Sequence, residues 1–122
     1  MKWKNYNSGD LVFREGEKSD AAYLIVSGKV RIVQGHDTAK AKELAVVGAG
    51  EYIGEMGAID NQPRSASAVA DGKVVCAPVT PEEFMELLRK DPDEAIDLLR
   101  ILFERLRATS RRLAQIDPAN AK

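Results

Sequence analysis

YIGEMGAIDNQPRSAS, residues 52–67, is the stretch around which the rest of the sequence is organised. It contains the pair Gly54-Glu55, a polar loop, and Arg64 flanked by small residues. Gly54 permits close approach of the backbone to a ligand, and a helical turn starting at Glu55 would direct unpaired N–H groups at an anion. Arg64 adds a planar fork matched to two phosphate oxygens, whereas the Glu55 carboxylate suits a hydroxyl donor. The stretch therefore predicts a site for a sugar phosphate.

The composition describes a small chain of nearly balanced charge. Its 122 residues include 18 basic and 19 acidic side chains, for a net charge of −1. This length predicts one domain, and the balance of charge argues against nucleic acid or an anionic membrane as a partner. The N-terminus does not resemble a signal peptide, and no apolar run approaches the roughly 20 residues of a membrane span. We expect a cytoplasmic protein.

Single copies of cysteine and histidine limit the possible chemistry. Cys76 excludes an internal disulfide and a cysteine-based zinc site, and its apolar neighbours predict a buried, unreactive thiol. His36 is the only histidine and lies in a polar segment. A metal-dependent β-barrel enzyme needs several converging ligands, and a catalytic triad or dyad needs a histidine beside its nucleophile. We therefore expect neither an enzyme nor a metal or cofactor site.

Residues up to Val79 have the pattern of short strands separated by glycine-rich turns. Such a pattern predicts a sandwich or barrel, which the 52–67 stretch interrupts. Ser27-Gly28 and Asp71-Gly72 have the composition of hairpin turns. The predicted strands are Leu11–Phe13, Ala21–Val26, Val30–Val33, Leu44–Val47, Ala66–Ala70 and Lys73–Val79.

Two capping boxes mark a change to helix after Val79. Thr80-Pro81 is followed by Glu83, and Asp91-Pro92 is followed by Glu94. Each set combines an N-cap, a proline at the first helical position and a glutamate three residues after the cap. We predict helices over residues 80–90 and 91–117, the second ended by Asp117-Pro118.

The second helix carries apolar residues at heptad spacing. Successive intervals of three and four residues are typical of a coiled-coil seam, so we predict a parallel homodimer in which Thr109 helps to fix the register. A second apolar set could face the barrel, and a single helix packed on its own domain is the alternative. The seam consists of Leu99, Leu102, Leu106, Thr109, Leu113 and Ile116, and the second set of Ile96, Leu98, Ile101 and Phe103.

The 52–67 stretch resembles the phosphate-binding cassette of cyclic-nucleotide-binding domains, as found in catabolite activators, kinase regulatory subunits and bacterial nucleotide-gated channels. Phe13–Glu17 and Tyr23–Val30 resemble the opening strands of the same family, and the resemblance covers nearly the whole chain. It implies a mainly β protein with helices: a double-stranded β-helix, or jelly-roll, barrel with a short cassette helix and a C-terminal helical lid. Residues 1–122 would form one domain, with the barrel in residues 1–79.

The resemblance also implies a ligand and a site. The ligand would be cyclic AMP, with cyclic GMP as the alternative; the cassette backbone and Arg64 would hold the phosphate and Glu55 the ribose 2′-OH. Thr109-Ser110 matches a pair that caps adenine in catabolite activators, whereas a hydroxyl at Ser65 can also assist guanine binding. The other candidates from the cassette are Gly54, Met56, Gly57 and Ala66. Ile32, Leu44, Val47 and Ile53 are candidates for the base pocket, and are equally well explained as core.

Two alternative interpretations remain open from the sequence. Glu55 and Arg64 are also compatible with a surface ion pair, which would contribute under about 1 kcal/mol. The chain is also compatible with a ligand-independent dimerisation module in which the cassette is vestigial. No output domain is expected, because only residues 117–122 follow Ile116.

Overall fold

The computed structural model describes the backbone of residues 2–116 and the side-chain surroundings of residues 2–108. The chain divides into two compact units, Met1–Met85 and a second that begins at Glu86. Within the described residues, all strands lie in the first unit and belong to one antiparallel sheet. The strands are β1 (Lys4–Tyr6), β2 (Leu11–Phe13), β3 (Ala22–Gln34), β4 (Lys42–Gly48), β5 (Tyr52–Ile53) and β6 (Ser67–Val79). The helices are α1 (Glu55–Asp60), α2 (Pro81–Lys90) and α3 (Pro92–Ile116).

The two longest strands, β3 and β6, form the centre of the sheet. They pair antiparallel from Ala22↔Val79 to Val33↔Ser67. The short strands β1 and β2 add to β6, while β4 and β5 add to β3. The segment that contains α1 joins β5 to β6, so the cassette is an insertion between strands of this sheet, as predicted.

The two predicted hairpins are wrong, because β3 and β6 are each continuous. Gly28 and Gly72 lie inside these strands at φ 93° and 79°, in the left-handed region that glycine favours. The register shifts on both sides of Ser27, which is the signature of a bulge. A Cβ on Gly28 would overlap the carbonyl oxygen of Lys73 on the paired strand. Some bulges use the same positive-φ glycine as a tight turn, and this explains the misassignment.

The hydrophobic core is formed by residues of strands β2 to β6. Its buried members are Val12, Tyr23, Ile25, Val30, Val47, Ile53, Ala68, Ala70, Val74 and Cys76. Burial raises the pKa of the Cys76 thiol to about 11, so the thiolate is scarce at neutral pH. The prediction of a buried thiol is therefore confirmed.

Helices α2 and α3 begin where the capping boxes predicted. At α2, Glu83 N–H donates to Thr80 Oγ1 at 3.1 Å, and Thr80 N–H donates to Glu83 Oε1 at 3.2 Å. At α3, Glu94 N–H donates to Asp91 Oδ1 at 3.2 Å. None of the helices within the described residues has the length and hydropathy needed to cross a membrane. The sequence analysis missed strands β1 and β5, which have three and two residues.

Candidate functional site

Gly54 forms the start of the cassette helix in a conformation that few other residues adopt. It is the N-cap of α1 at φ 72°, and no side chain caps the helix there. A Cβ at this position would overlap the Arg64 guanidinium and crowd the Phe13 ring. Glycine therefore serves both the left-handed backbone and the close approach of Arg64. The predicted helical turn at Glu55 is confirmed, since α1 begins at that residue.

The loop before β3 holds the second half of the cassette. Ser19 is buried, and its Oγ donates to the Gln62 carbonyl oxygen at 2.6 Å. Gly57 faces the same serine so closely that a Cβ there would overlap the Ser19 side chain. Gly57 is thus a packing residue in this structure, and Ser19 links α1 to the loop that follows it.

The backbone of Arg64 pairs with the same loop. Arg64 N–H donates to the Glu17 carbonyl at 2.8 Å, and Gly16 N–H donates to the Arg64 carbonyl at 2.8 Å. These two bonds resemble a short antiparallel ladder, and they fix the origin of the arginine side chain.

The Arg64 guanidinium is bound mainly by backbone oxygens. Nη1 donates to the Gly54 carbonyl at 3.1 Å, and Nη2 donates to the Ala21 carbonyl at 2.6 Å. Asp20 Oδ1 lies 3.5 Å from Nη2, but its side chain is largely exposed, so this ion pair is weak. The guanidinium carbon lies 4.2 Å from the centroid of the Phe13 ring.

One polar atom of Arg64 has no partner in the structure. The side chain is only 2% exposed, and its Nε is buried without a hydrogen-bond acceptor. Burial lowers the pKa of the guanidinium, and Tyr23 and Asp20 act in the opposite direction, but the group remains a cation at neutral pH. A buried cationic donor without an acceptor is unfavourable, and an anionic ligand would satisfy it.

Glu55 provides a carboxylate close to this cation. It is 3% exposed, interacts with neighbouring groups, and its charge raises the pKa of Arg64. Since Glu55 and Arg64 are both buried, a surface ion pair does not describe them. The structure thus brings together the two residues that the sequence assigned to phosphate and hydroxyl.

The remaining cassette candidates differ in exposure. Met56 and Ser65 are exposed, whereas Ala66 is buried. The Ser65 carbonyl accepts a hydrogen bond of 3.4 Å from Gln34 Nε2 at the end of β3. The Ser65 side chain is thus open to solvent, where a ligand could reach its hydroxyl.

The four base-pocket candidates occupy two environments. Val47 and Ile53 are members of the buried core, and Ile32 packs against it. Leu44 is half-buried on β4 and interacts with neighbouring groups. The core explanation therefore accounts for Val47 and Ile53, and a role in the base pocket stays a prediction for all four residues.

Helix α3 carries exposed residues from both predicted apolar sets. In the seam, Leu99 and Leu106 are exposed and Leu102 is half-buried. In the second set, Ile96, Ile101 and Phe103 are exposed and Leu98 is half-buried. The seam and the position of the second set against the barrel therefore stay predictions. Thr109, Ser110, Leu113 and Ile116 lie outside the residues whose side chains are described.

Sequence analysis missed the residues that support Arg64. Phe13, Gly16 and Glu17 belong to a motif that signalled the family, but their contacts with Arg64 could not be read from it. Ser19 carried no signal, and Ala21 was predicted only as the first residue of a strand, because a serine hydroxyl and a backbone carbonyl are common features. Within residues 2–108, no group of three or more histidine, cysteine, aspartate or glutamate side chains is placed to hold a metal ion.

Comparison with known proteins identifies relatives over most of the chain. Residues 3–91 match the family model of the cyclic nucleotide-binding domain. The chain is 38% identical over 102 residues to the cyclic AMP receptor protein of Thermus thermophilus, covering 84% of this chain and 47% of the receptor. It thus spans about half the length of that relative.

Solved structures agree with this relationship. The catabolite activator protein of Thermus thermophilus superimposes with a TM-score of 0.77 at 35% identity, over 94% of this chain and 54% of that chain. The EAL enzyme Bd1971 in its cyclic GMP-bound form gives a TM-score of 0.66 at 36% identity, covering 87% of this chain and 28% of the enzyme. Its cyclic AMP-bound form gives a TM-score of 0.67 at 33% identity, covering 93% of this chain and 31% of the enzyme. These relatives have the jelly-roll barrel that the resemblance of the cassette implied. The chain therefore belongs to the cyclic nucleotide-binding domain family.

Proposed function

We propose that this domain is a sensor for a cyclic nucleotide, with cyclic AMP as its principal ligand. The observation that carries the proposal is the buried Arg64 guanidinium, whose Nε has no acceptor. A phosphate oxygen would provide that acceptor, and charge-assisted bonds to phosphate are worth roughly 1.5–3 kcal/mol each. The relatives named above include the cyclic AMP receptor protein of Thermus thermophilus.

In this proposal the cassette binds the phosphate and the ribose together. The backbone of Gly54 to Met56 and the side chain of Arg64 hold the phosphate. Glu55 accepts a hydrogen bond from the ribose 2′-OH. A cyclic phosphate next to a free 2′-OH suits this pair, because a cation and a carboxylate lie close together in a site shielded from water.

In this proposal the residues that contact the base belong to α3 and to the strands. Thr109 and Ser110 cap the exocyclic amine of adenine, which favours cyclic AMP over cyclic GMP. Ser65 is exposed and can contribute to guanine binding, so cyclic GMP is the competing ligand to measure. Helix α3 acts as a lid, and the ligand favours closure only if it binds the closed state more tightly.

Isothermal titration of the purified chain with cyclic AMP and cyclic GMP tests this proposal, with 5′-AMP as the ligand control. Arg64→Ala should weaken binding at least tenfold, since more than one charge-assisted bond is lost. Thr109→Ala together with Ser110→Ala should reduce the preference for cyclic AMP. Absence of binding by folded wild-type protein, or binding that Arg64→Ala leaves intact, would refute the proposed site.

A second candidate function is homodimerisation without a ligand. The observation that favours it is an exposed apolar row on α3, with members at intervals of three, four and three residues: Ile96, Leu99, Phe103 and Leu106. A parallel pair of α3 helices would bury this row, which shares Leu99 and Leu106 with the predicted seam. Sensing and dimerisation are compatible, and the dimer would relay lid movement to an effector protein in the cytoplasm.

Sedimentation equilibrium with and without cyclic AMP separates the two functions. Leu99→Glu with Leu106→Glu should give monomers, and Arg100→Glu serves as a charge-matched control on an exposed position of the same helix. A dimer that survives the double substitution would rule out this row as the interface. A stable dimer that binds no cyclic nucleotide would support the ligand-independent module.

A further inference from the structure

Phe13, the last residue of β2, places its ring beneath the guanidinium carbon of Arg64. The guanidinium carbon is 4.2 Å from the centroid of the Phe13 ring and 5.9 Å from the centroid of the Tyr23 ring. The two rings are 6.1 Å apart and tilted by 34°. Phe13 is therefore the principal aromatic partner of the cation, within the distance at which cation–π attraction is significant.

The hydrogen bonds of Arg64 do not by themselves fix the tilt of the guanidinium plane. Nη1 and Nη2 are held by the carbonyls of Gly54 and Ala21, and hydrogen bonds to a guanidinium lie near its plane. These two bonds, and the long contact of 3.5 Å from Nη2 to the exposed Asp20 carboxylate, hold the Nη end of the fork and permit tilting of the plane about the line that joins the two nitrogens. The Phe13 ring, 4.2 Å from the guanidinium carbon, opposes that tilt by contact.

The chemistry of phenylalanine also suits a site that must stay open to a ligand. Its ring attracts a cation and has no lone-pair acceptor for an N–H group, so this contact leaves Nε available to a ligand. A carboxylate in the same place would pair with the guanidinium and compete with a phosphate. The attraction is strengthened here because the Arg64 side chain is removed from water.

We propose that Phe13 is a positioning residue for Arg64, its ring holding the guanidinium plane so that Nε is presented to the cyclic phosphate. This role rests on the proposed function. Phe13 also packs against the core, so a purely structural role is the competing explanation. The two explanations differ because positioning requires the ring itself, whereas packing requires only an apolar side chain of similar size.

Phe13→Leu keeps an apolar side chain and removes the ring, while Phe13→Tyr keeps the ring. Titration with cyclic AMP should show that Phe13→Leu lowers affinity roughly three- to thirtyfold, the range of a partly to fully desolvated cation–π contact. Phe13→Tyr should restore affinity to near the wild-type value. In an Arg64→Met background, Phe13→Leu should produce no further loss of affinity.

A spectroscopic measurement tests the positioning without any ligand. With the Phe13 ring 4.2 Å from the guanidinium carbon, its ring current should shift the Nε–H resonance of Arg64, so Phe13→Leu should move that resonance and speed its exchange with water. Phe84→Leu is the matched control, because it removes a fully buried ring whose centroid lies 5.3 Å from the centroid of the Tyr52 ring. It should lower stability and leave the Arg64 resonance in place.

The outcomes distinguish this role from the function on which it rests. Wild-type protein that binds no cyclic AMP would overturn both. Wild-type binding with unchanged affinity in Phe13→Leu would overturn the role of Phe13 alone. An equal loss of affinity in Phe13→Leu and Phe13→Tyr, or a loss that persists without the arginine, would assign Phe13 to packing.

Discussion

Replacement of Arg64 by methionine should separate ligand binding from stability. Methionine is unbranched and apolar, and it can occupy much of the space of the arginine stem. Its introduction removes the hydrogen bonds from Nη1 to Gly54 O and from Nη2 to Ala21 O. It also removes the buried charge and the Nε group that lacks an acceptor.

These changes act on the free energy of unfolding in opposite directions. Each lost bond from a charged donor is worth about 1.5–3 kcal/mol, and the carbonyls lose their partners. Against this, a buried donor without an acceptor costs about 1–3 kcal/mol and the desolvation of a buried ion costs roughly several kcal/mol, and the substitution relieves both costs. The two sums are similar. We therefore expect the free energy of unfolding of Arg64→Met in urea to differ from that of the wild-type protein by no more than about 2 kcal/mol.

The response to ligand should differ much more. At a concentration of cyclic AMP one hundred times the Kd, the proposed binding should stabilise the wild-type domain by about 2.7 kcal/mol. For a domain of this size the melting temperature should rise by roughly 10 °C. Arg64→Met should show little or none of this increase at the same concentration.

Arg31→Met is the matched control, because Arg31 forms an ion pair of 3.0 Å with Glu43 between β3 and β4 and both side chains are about half exposed. It should keep the full thermal shift. A loss of more than about 4 kcal/mol in unliganded Arg64→Met, as when one partner of a buried pair is removed, would show that the arginine is primarily structural. A full thermal shift in that variant would refute its role in binding.

Three further predictions concern the fold. Gly28→Ala should lower the free energy of unfolding in urea by more than Gly9→Ala does. Both glycines have positive φ, but of the two only Gly28 is placed so that a Cβ would overlap a backbone carbonyl. Equal losses in the two variants would contradict this prediction. The hydrogen bonds from Thr80 lower the pKa of Glu83 from 4.5, so its contribution to stability is present above that value and is lost as pH falls through the folded-state pKa. Glu83→Gln should lack this part of the pH dependence while the cap persists, and a pH profile of urea unfolding identical to that of the wild-type protein would argue against it. Cys76 should resist a thiol reagent at pH 8 in the native state and react on unfolding, since its pKa is raised to about 11 by burial; rapid labelling of native protein would contradict the core assignment.

Local interactions made several elements predictable from the sequence. The Thr80-Glu83 box is formed by bonds between residues three positions apart, so its pattern of residue types is sufficient to place the start of α2. The same applies to α1, where Gly54-Glu55 marks the beginning of the helix. Arg64 and Glu55 were also identifiable as a pair, because a cation and a carboxylate among glycines and small residues have few structural uses.

Tertiary structure alone decided how the strands run and what holds the arginine. Gly28 and Gly72 satisfy the local requirements of a turn and of a bulge equally well, and only the pairing of β3 with β6 selects the bulge. The contact of Arg64 with Ala21 spans 43 positions in the chain and uses a backbone carbonyl, a group that every residue has. Residue types therefore identified the candidate binding groups, whereas their orientation depended on long-range packing that no local pattern encodes.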